Sequence, residues 1–191
     1  MTDRPLPQQR LANDLANLLH TAIRPACAPT WLAAFWAVIG LQWPEIDALR
    51  IQKFLLLVRR VFAAQVAWCK ARGFEGEEVE KIEEVMKEWC FEEEGVDLKK
   101  VPVGLRLHVL DVWIDELERE GCLEDEAAKG FVERMGTMVQ LLKRSPIKTV
   151  RARAEESYDD ERLPWATKEG EEDEQDEQED SEEDGWGGFD D

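Results

Sequence analysis

The chain has 191 residues, 43% of which are hydrophobic, and its formal net charge at pH 7 is −19. This length fits one domain with an appendage, and the hydrophobic content is sufficient for one core. No stretch approaches the run of about 18 uninterrupted apolar residues that a membrane span needs, and no basic segment leads into an apolar one at the N-terminus. The sequence therefore predicts neither a membrane-spanning nor a visibly secreted protein.

The acidic residues are concentrated at one end of the chain. Residues 166–191 hold 14 acids and one base, a net charge of −13, whereas the remaining 165 residues hold 29 acids and 23 bases, a net charge of −6. Before Trp186 and Phe189 this segment has almost no apolar side chains, so burial cannot offset the entropy lost on ordering. We expect residues 1–165 to form a helical interaction domain and residues 166–191 to form a disordered acidic tail.

Apolar residues recur at helical spacing through most of the first 165 residues and predict about seven helices. In chain order these are residues 5–20, 30–41, 44–72, 77–91, a fifth from Pro102 to just before Gly121, 124–144 and 148–157. The apolar side of the first helix is formed by Leu11, Leu15, Leu18 and Leu19. The second helix is apolar nearly all round, which favours burial between neighbouring helices.

The third predicted helix is the longest and is expected to be the spine of the domain. It opens with Pro44, Glu45 and Asp47, since proline and acids favour a helix N-terminus, and it ends at Gly73. No segment alternates with the period of a strand, so we predict no sheet. The predicted fold class is all-α, either an antiparallel helical bundle or a HEAT-like helical stack of about seven helices, and no exact internal repeat decides between them.

The chain carries none of the common catalytic motifs. P-loop, GxGxxG, HExxH, GxSxG and paired CxxC signatures are all missing from the sequence. The four cysteines, Cys27, Cys69, Cys90 and Cys122, are widely separated within apolar helical patterns, which predicts reduced core thiols and a cytosolic or nuclear compartment. We therefore expect no enzyme activity, no cofactor and no small-molecule substrate.

One cluster on the fifth helix could hold a divalent metal ion. His108, Asp111 and Asp115 fall at positions i, i+3 and i+7 and project from one face. A half-site without a second pair of ligands is a weak signal, however. The favoured interpretation is a polar surface on which the imidazole pairs with a carboxylate, and no metal site is predicted.

The third helix carries a basic stripe. At 100° per residue its apolar face gathers Ile51, Phe54, Leu55, Val58 and Phe62. Arg50, Lys53 and Arg60 lie on nearly the opposite face, with Arg59 nearby. These four residues are the candidate contact with RNA phosphates or with an acidic partner. The alternative is a solvated face that pairs with the surrounding glutamates.

Six tryptophans are a heavy load for a helical body of this size. They are Trp31, Trp36, Trp43, Trp68, Trp89 and Trp113. Most are expected in the core. One or two at the surface would mark a protein interface, because such rings contribute strongly to binding energy.

Two segments resemble the ribosomal RNA-processing protein 1 family of nucleolar assembly factors. Residues 35–62 read FWAVIGLQWPEIDALRIQKFLLLVRRVF, and residues 101–121 read VPVGLRLHVLDVWIDELEREG. The matching pattern is an FW pair, a later Trp, then IDxLRxxKFxxLxR, followed by VPxGLRLHxxDxxxDELE. The resemblance extends over about residues 3–165. It implies a helical, non-catalytic factor of the nucleus and nucleolus that acts in pre-60S particles as a scaffold. Its partners would be other pre-60S assembly factors, with rRNA as a further candidate.

The chain departs from that family's pattern at both ends. Family members usually have further helices before the DRPLPQQ-like segment, which would make Met1 internal to a longer chain and leave the first helix without a packing partner. Many members also carry a long basic C-terminal extension, whereas this chain ends in acids. The acidic tail supports a second hypothesis, a chaperone that binds histones or basic ribosomal proteins through its carboxylates.

Overall fold

Consecutive helices of the chain alternate between two layers. A computed structural model of the chain describes residues 5–91 and 100–166. In these residues the α-helices are α1 (Pro5–Thr21), α2 (Ala28–Gln42), α3 (Ile51–Lys70), α4 (Glu77–Val85), α5 (Val103–Arg119), α6 (Lys129–Leu142) and α7 (Lys148–Tyr158). This part of the chain contains no strand. The predicted all-α fold with seven helices is confirmed.

The odd-numbered helices form one layer of the molecule. Helix α3 packs between α1 and α5, and α5 packs between α3 and α7. The even-numbered helices lie on the other side. There α2 packs against α4, and the guanidinium of Arg134 on α6 binds both oxygens of Glu83 on α4 at 2.7 Å.

Neighbours within a layer run in the same direction. Residues 7–15 of α1 lie along residues 53–57 of α3, and residues 13–20 lie along residues 60–67. In the same way, His108 and Glu120 contact Leu55 and Lys70 in parallel order. Each intervening helix must therefore run in the opposite direction, in the other layer. This arrangement is a HEAT-like stack of helical pairs, one of the two architectures that the sequence left open.

Aromatic side chains fill the space between the layers. Trp36, Trp68 and Trp113 are completely buried or nearly so, and Trp36 Nε1 donates a hydrogen bond to Gln65 Oε1 at 3.2 Å. The rings of Phe62 and Trp113 both meet Phe91 edge to face, with centroids 6.2 and 6.3 Å from it. The other three of the six tryptophans considered from the sequence are half-buried, namely Trp31, Trp43 and Trp89. Most of the six were expected in the core, whereas three are fully buried and three lie partly exposed.

The predicted start of the third helix at residue 44 is wrong. Trp43–Glu45 form a short 3₁₀ turn, and Ile46 then has an extended backbone with φ −82° and ψ 117°. The carboxylate of Asp47 accepts hydrogen bonds from the backbone N–H groups of Leu49 and Arg50, both at 3.0 Å. Aspartate favours such turns over a continuing helix because its side chain satisfies the backbone locally. Helix α3 therefore begins at Ile51.

Smaller differences concern three other predicted helices. The second was expected to be buried all round, but Val38 and Leu41 on α2 are 61% and 74% exposed. The fourth ends at Val85 and continues as a π-helical turn, Met86–Cys90. The sixth begins later than predicted because Asp125 accepts a hydrogen bond from the Ala127 backbone and starts a separate 3₁₀ turn.

After α7 the chain folds back over the stack. We call residues 159–166 the closing segment. Its Trp165 stacks on Tyr158 with centroids 5.1 Å apart, donates a hydrogen bond to the Tyr158 carbonyl, and lies directly over Gly136 of α6. Its Arg162 pairs with Asp115 and with Glu118 of α5. The predicted acidic tail lies outside the described residues from residue 167 onwards.

By its length and composition alone, the segment Pro25–Glu45 is apolar enough to cross a membrane. Leu32 and Trp36 within it are completely buried against the rest of the stack. That is the position of a core helix in a folded domain.

Candidate partner-binding surface

Helices α1 and α3 enclose an apolar groove at the first end of the stack. It has a volume of 270 Å³ and is lined chiefly by Leu11 and Leu15 of α1 and by Phe54 and Leu57 of α3. Leu11 remains 59% exposed and Leu15 36% exposed. Contiguous exposed apolar side chains are uncommon on monomeric proteins and mark interaction sites. We call this feature the α1–α3 groove.

The leucines of α1 face outward because alanines occupy the contact with α3. Ala12 and Ala16 are 5% and 4% exposed, and their small side chains allow the two helices to approach closely. Leu19 is also buried, at 1% exposure. Of the leucines on the predicted apolar side of this helix, Leu19 therefore faces the core, whereas Leu11 and Leu15 face solvent. The alanines spaced four residues apart were the signal in the sequence.

Two residues of the predicted basic stripe lie on the α1 side of α3. Lys53 lines the α1–α3 groove. Arg60, two turns further along, lines a separate polar crevice between the second half of α1 and the end of α5. Lys53 therefore places positive charge next to the exposed leucines.

Arg50 lies just before α3 rather than on its helical face. Its backbone forms the N-cap position, and its Nε donates to Asp47 Oδ2 at 2.5 Å. This hydrogen bond is the main reason that the pKa of Asp47 is lowered from its usual value. Both side chains are about half exposed, so the pair remains accessible from solvent.

Arg59 faces the opposite neighbour of α3. Its guanidinium pairs with Asp115 at 3.3 Å and also with Glu116, a side chain that is completely buried. Arg119 binds the same Glu116 oxygen at 2.5 Å. One buried carboxylate therefore serves two guanidinium groups, and the cluster joins α3 to α5. Each of the four predicted residues consequently lies in a different setting.

The three residues that were weighed as metal ligands, His108, Asp111 and Asp115, all bind other groups of the protein. His108 Nε2 lies 2.9 Å from the carbonyl oxygen of Leu55, so the ring pairs with a carbonyl and not with the expected carboxylate. Asp111 pairs with Arg153, and Asp115 pairs with Arg59 and Arg162. Within residues 5–91 and 100–166, no group of three His, Cys, Asp or Glu side chains has an arrangement suited to a metal ion. The geometry supports a structural role for this face.

The cysteines are unpaired in the described part of the chain, and three of them are core residues. Burial raises the pKa of the Cys69 thiol to about 12 and that of the Cys122 thiol to about 11. The pKa of Cys90, which is completely buried, is raised for the same reason. Such thiols stay protonated at neutral pH and are poor nucleophiles. Cys27 is exposed in the turn before α2, which corrects the prediction of a core position.

The chain is similar in sequence to known proteins of one family. The model of the family described as "Nucleolar protein, Nop52" matches residues 1–187. Ribosomal RNA processing protein 1 homolog A of Mus musculus is 30% identical over 124 residues, which are 65% of this chain and 24% of the relative. Homolog B of Homo sapiens is 33% identical over 121 residues, 62% of this chain and 15% of the relative.

A more distant animal relative gives the same result. The ribosomal RNA processing protein 1 homolog of Drosophila melanogaster is 27% identical over 130 residues, 68% of this chain and 18% of the relative. The chain thus aligns with a quarter or less of the length of these three relatives. Since the family model covers nearly all of the chain, the chain belongs to the Nop52 family of nucleolar proteins.

Proposed function

We propose that the chain is a non-catalytic assembly factor for the large ribosomal subunit that acts in rRNA processing as a binding scaffold. The relatives it resembles are named for ribosomal RNA processing, and the family is described as nucleolar. The proposed location is therefore the nucleolus, in pre-60S particles. The partners would be other assembly factors of these particles and their rRNA.

The observation that carries this proposal is the surface formed by α1 and the start of α3. Exposed Leu11 and Leu15 lie beside Lys53 in a groove, and Arg50 precedes the same helix. Apolar anchors with a charged rim are typical of protein interfaces. The mechanism would be stabilisation of a precursor particle by complementary surfaces. Arg59 would contribute less than the other basic residues, because it is held between two carboxylates of α5.

Charge reversal of Arg50, Lys53 and Arg60 together tests this proposal. Tagged wild-type and variant chains would be purified from nucleolar extract, and the co-purifying assembly factors and precursor rRNA would be quantified. We expect the variant to lose most of its association. A matched control reverses Lys129, Arg144 and Lys148, three exposed basic residues of α6 and the α6–α7 region. Unchanged association of the first variant would remove the basic residues from the mechanism.

A second candidate function rests on the acidic tail. Its 14 acids in 26 residues favour electrostatic binding of histones or basic ribosomal proteins. Like charge disfavours direct recruitment of RNA by this segment. Deletion of residues 167–191 separates the two functions. The scaffold function predicts that particle association is retained, and the chaperone function predicts that it is lost.

A further inference from the structure

A polar crevice lies next to the α1–α3 groove, between the second half of α1 and the end of α5. Its volume is 270 Å³. Its floor consists of small side chains, Ala16, Ala63, Ala64 and Ala67, and its walls carry Asn13, Asn17, His20, Arg60, Arg119 and Glu120. Alanines leave space there, while every wall residue offers a polar group. We call this feature the polar crevice.

Arg60 has an unsatisfied donor at this crevice. Its Nε is buried and has no hydrogen-bond acceptor, and Arg60 forms no ion pair with any residue in the described ranges 5–91 and 100–166. A buried donor on a charged group costs free energy unless an acceptor is supplied. A ligand in the open crevice does not reach this buried Nε. The Arg60 guanidinium nevertheless gives the lining a positive charge that no carboxylate of the described residues pairs with, which favours an anionic ligand.

The charges around the crevice favour an anion even though the whole chain is acidic. Arg119 pairs with the buried carboxylate of Glu116, whereas Arg60 supplies a positive charge without an ion-pair partner in the described residues. Lys70 adds a further positive charge, with its Nζ bound to the backbone carbonyl of Glu120. Glu120 carries the negative charge of the lining. Two guanidinium groups near one anion provide the planar donors that suit phosphate oxygens.

The remaining wall residues narrow the chemical class of the ligand. His20 Nε2 lies 3.0 Å from the carbonyl oxygen of Ala64, so this nitrogen carries the proton that it donates and Nδ1 is left for a ligand. The amides of Asn13 and Asn17 both donate and accept, and Glu120 only accepts when ionised. A simple carboxylate ligand only accepts hydrogen bonds, so it would use only the donor groups of the crevice. A nucleotide uses both, because its phosphate accepts while its 2′-hydroxyl and base edges also donate.

We propose that the polar crevice binds one nucleotide of single-stranded RNA, with the phosphate on Arg60 and Arg119 and the ribose 2′-hydroxyl toward Glu120. The alanine floor would receive the apolar face of the sugar or base. This inference rests on the proposed function for the choice of RNA, since RNA is the polyanion that an rRNA-processing factor meets. It adds a site and a ligand class to that function.

The test measures binding of a fluorescently labelled single-stranded RNA oligonucleotide to the full chain by anisotropy at low salt. Arg60→Ala should weaken binding about tenfold, the loss expected for a charged hydrogen bond to phosphate. Arg60→Lys should recover part of it, since the charge remains but the planar donors do not. Arg144→Ala is the matched control. Arg144 is exposed in the α6–α7 connection, and the same loss of one charge there should change affinity less than twofold.

A second variant tests the sugar contact without removing positive charge. Glu120→Gln should lower the preference for RNA over DNA of the same sequence, because an amide accepts from the 2′-hydroxyl less strongly than a carboxylate. Photo-crosslinking with 4-thiouridine RNA should yield adducts in the peptides that contain residues 13–20 and 116–120. The position of these adducts shows where the RNA is bound, independently of any change in affinity that a substitution causes.

Three outcomes would overturn the proposal. They are equal losses in Arg60→Ala and Arg144→Ala, no RNA binding by the wild-type chain, or displacement of RNA by polyglutamate as effectively as by unlabelled RNA. The last would identify an acidic-peptide site. Failure here is distinct from failure of the proposed function. Unchanged RNA affinity in Arg60→Ala, together with particle association that is lost on changing the α1–α3 groove, would reject the RNA site and retain the scaffold.

Discussion

The two ends of the helical stack differ in what covers their outer faces. At the first end, α1 and α2 leave large apolar side chains in solvent, with Leu6, Leu11, Val38 and Leu41 between 59% and 74% exposed. At the other end, α7 exposes mainly charged side chains and the closing segment covers part of α6. Stacked helical pairs bury one face on each neighbour, so a terminal pair needs a polar outer face to remain soluble.

The last helix meets this requirement and the first two do not. Charged groups at the closed end satisfy one another, as Arg153 does with Asp111 and Glu156, and Arg162 with Asp160. The exposed apolar side chains at the first end are not covered by any other part of the described residues. Under the proposed function, binding at the first end would be driven by apolar burial, and the basic residues of α3 would contribute selectivity. At the closed end the contacts serve stability.

The largest effect on stability is expected from Gly136→Ala at the closed end. A Cβ at this position would lie 2.2 Å from the Trp165 ring, well inside van der Waals contact. The ring must move away from Tyr158 or α6 must shift. Overpacking of this kind costs about 1–3 kcal/mol, and we expect about 2 kcal/mol in urea unfolding.

A double-mutant cycle isolates this contact. In a Trp165→Ala background the added methyl group meets no ring, so Gly136→Ala should cost much less there and can gain from its higher helix propensity. Equal costs in both backgrounds would show that the closing segment does not seal this end of the stack.

A smaller effect, visible in the pH dependence of stability, is expected at the junction between the two ends. Burial lowers the pKa of His108 below 6.5, and the nearby charge of Arg59 acts in the same direction, while the hydrogen bond to Leu55 opposes them. Because the folded pKa is lowered, the unfolded chain takes up the proton first as pH falls. The stability present above the unfolded pKa of about 6.5 is therefore lost progressively below it.

His108→Gln tests this expectation. The glutamine amide can still donate to the Leu55 carbonyl but does not titrate between pH 5 and 8. Urea unfolding from about pH 7.5 to about pH 5.5 should show a steeper loss in the wild-type chain than in the variant. All other ionisable groups are common to both proteins. Parallel curves would show that His108 is as easily protonated in the folded chain as in the unfolded one.

Much of the fold can be predicted from the sequence because it follows from apolar periodicity. The seven helices follow from the spacing of apolar residues, whereas the sequence did not distinguish the buried Trp36, Trp68 and Trp113 from the half-buried Trp31, Trp43 and Trp89. The break before α3 could not be seen in this way. It depends on the side chain of Asp47 competing for backbone N–H groups, which outweighs the favourable position of Pro44.

The candidate site was predictable only in part. Periodicity identified the basic residues of α3, but it does not reveal which neighbour each one meets. Arg59 and Arg60 are adjacent in sequence, yet one binds α5 and the other lines the polar crevice beside α1. The direction of Leu11 was also missed, although the spacing of Ala12 and Ala16 was a signal for the close helix contact. These features depend on packing between segments that are distant in sequence.

The smallest effect on stability, and the sharpest contrast between the two ends, is expected from Leu11→Ser combined with Leu41→Ser. Both side chains are mostly exposed, so the free energy of unfolding should change by no more than about 0.5 kcal/mol. Particle association should nevertheless fall about tenfold, since apolar anchors contribute most of an interface's binding energy. Lys148→Ser on α7 is the control and should alter neither quantity. If the leucine variant were destabilised as strongly as Gly136→Ala, then Leu11 and Leu41 would be buried in the folded chain, and the first end of the stack would already be closed.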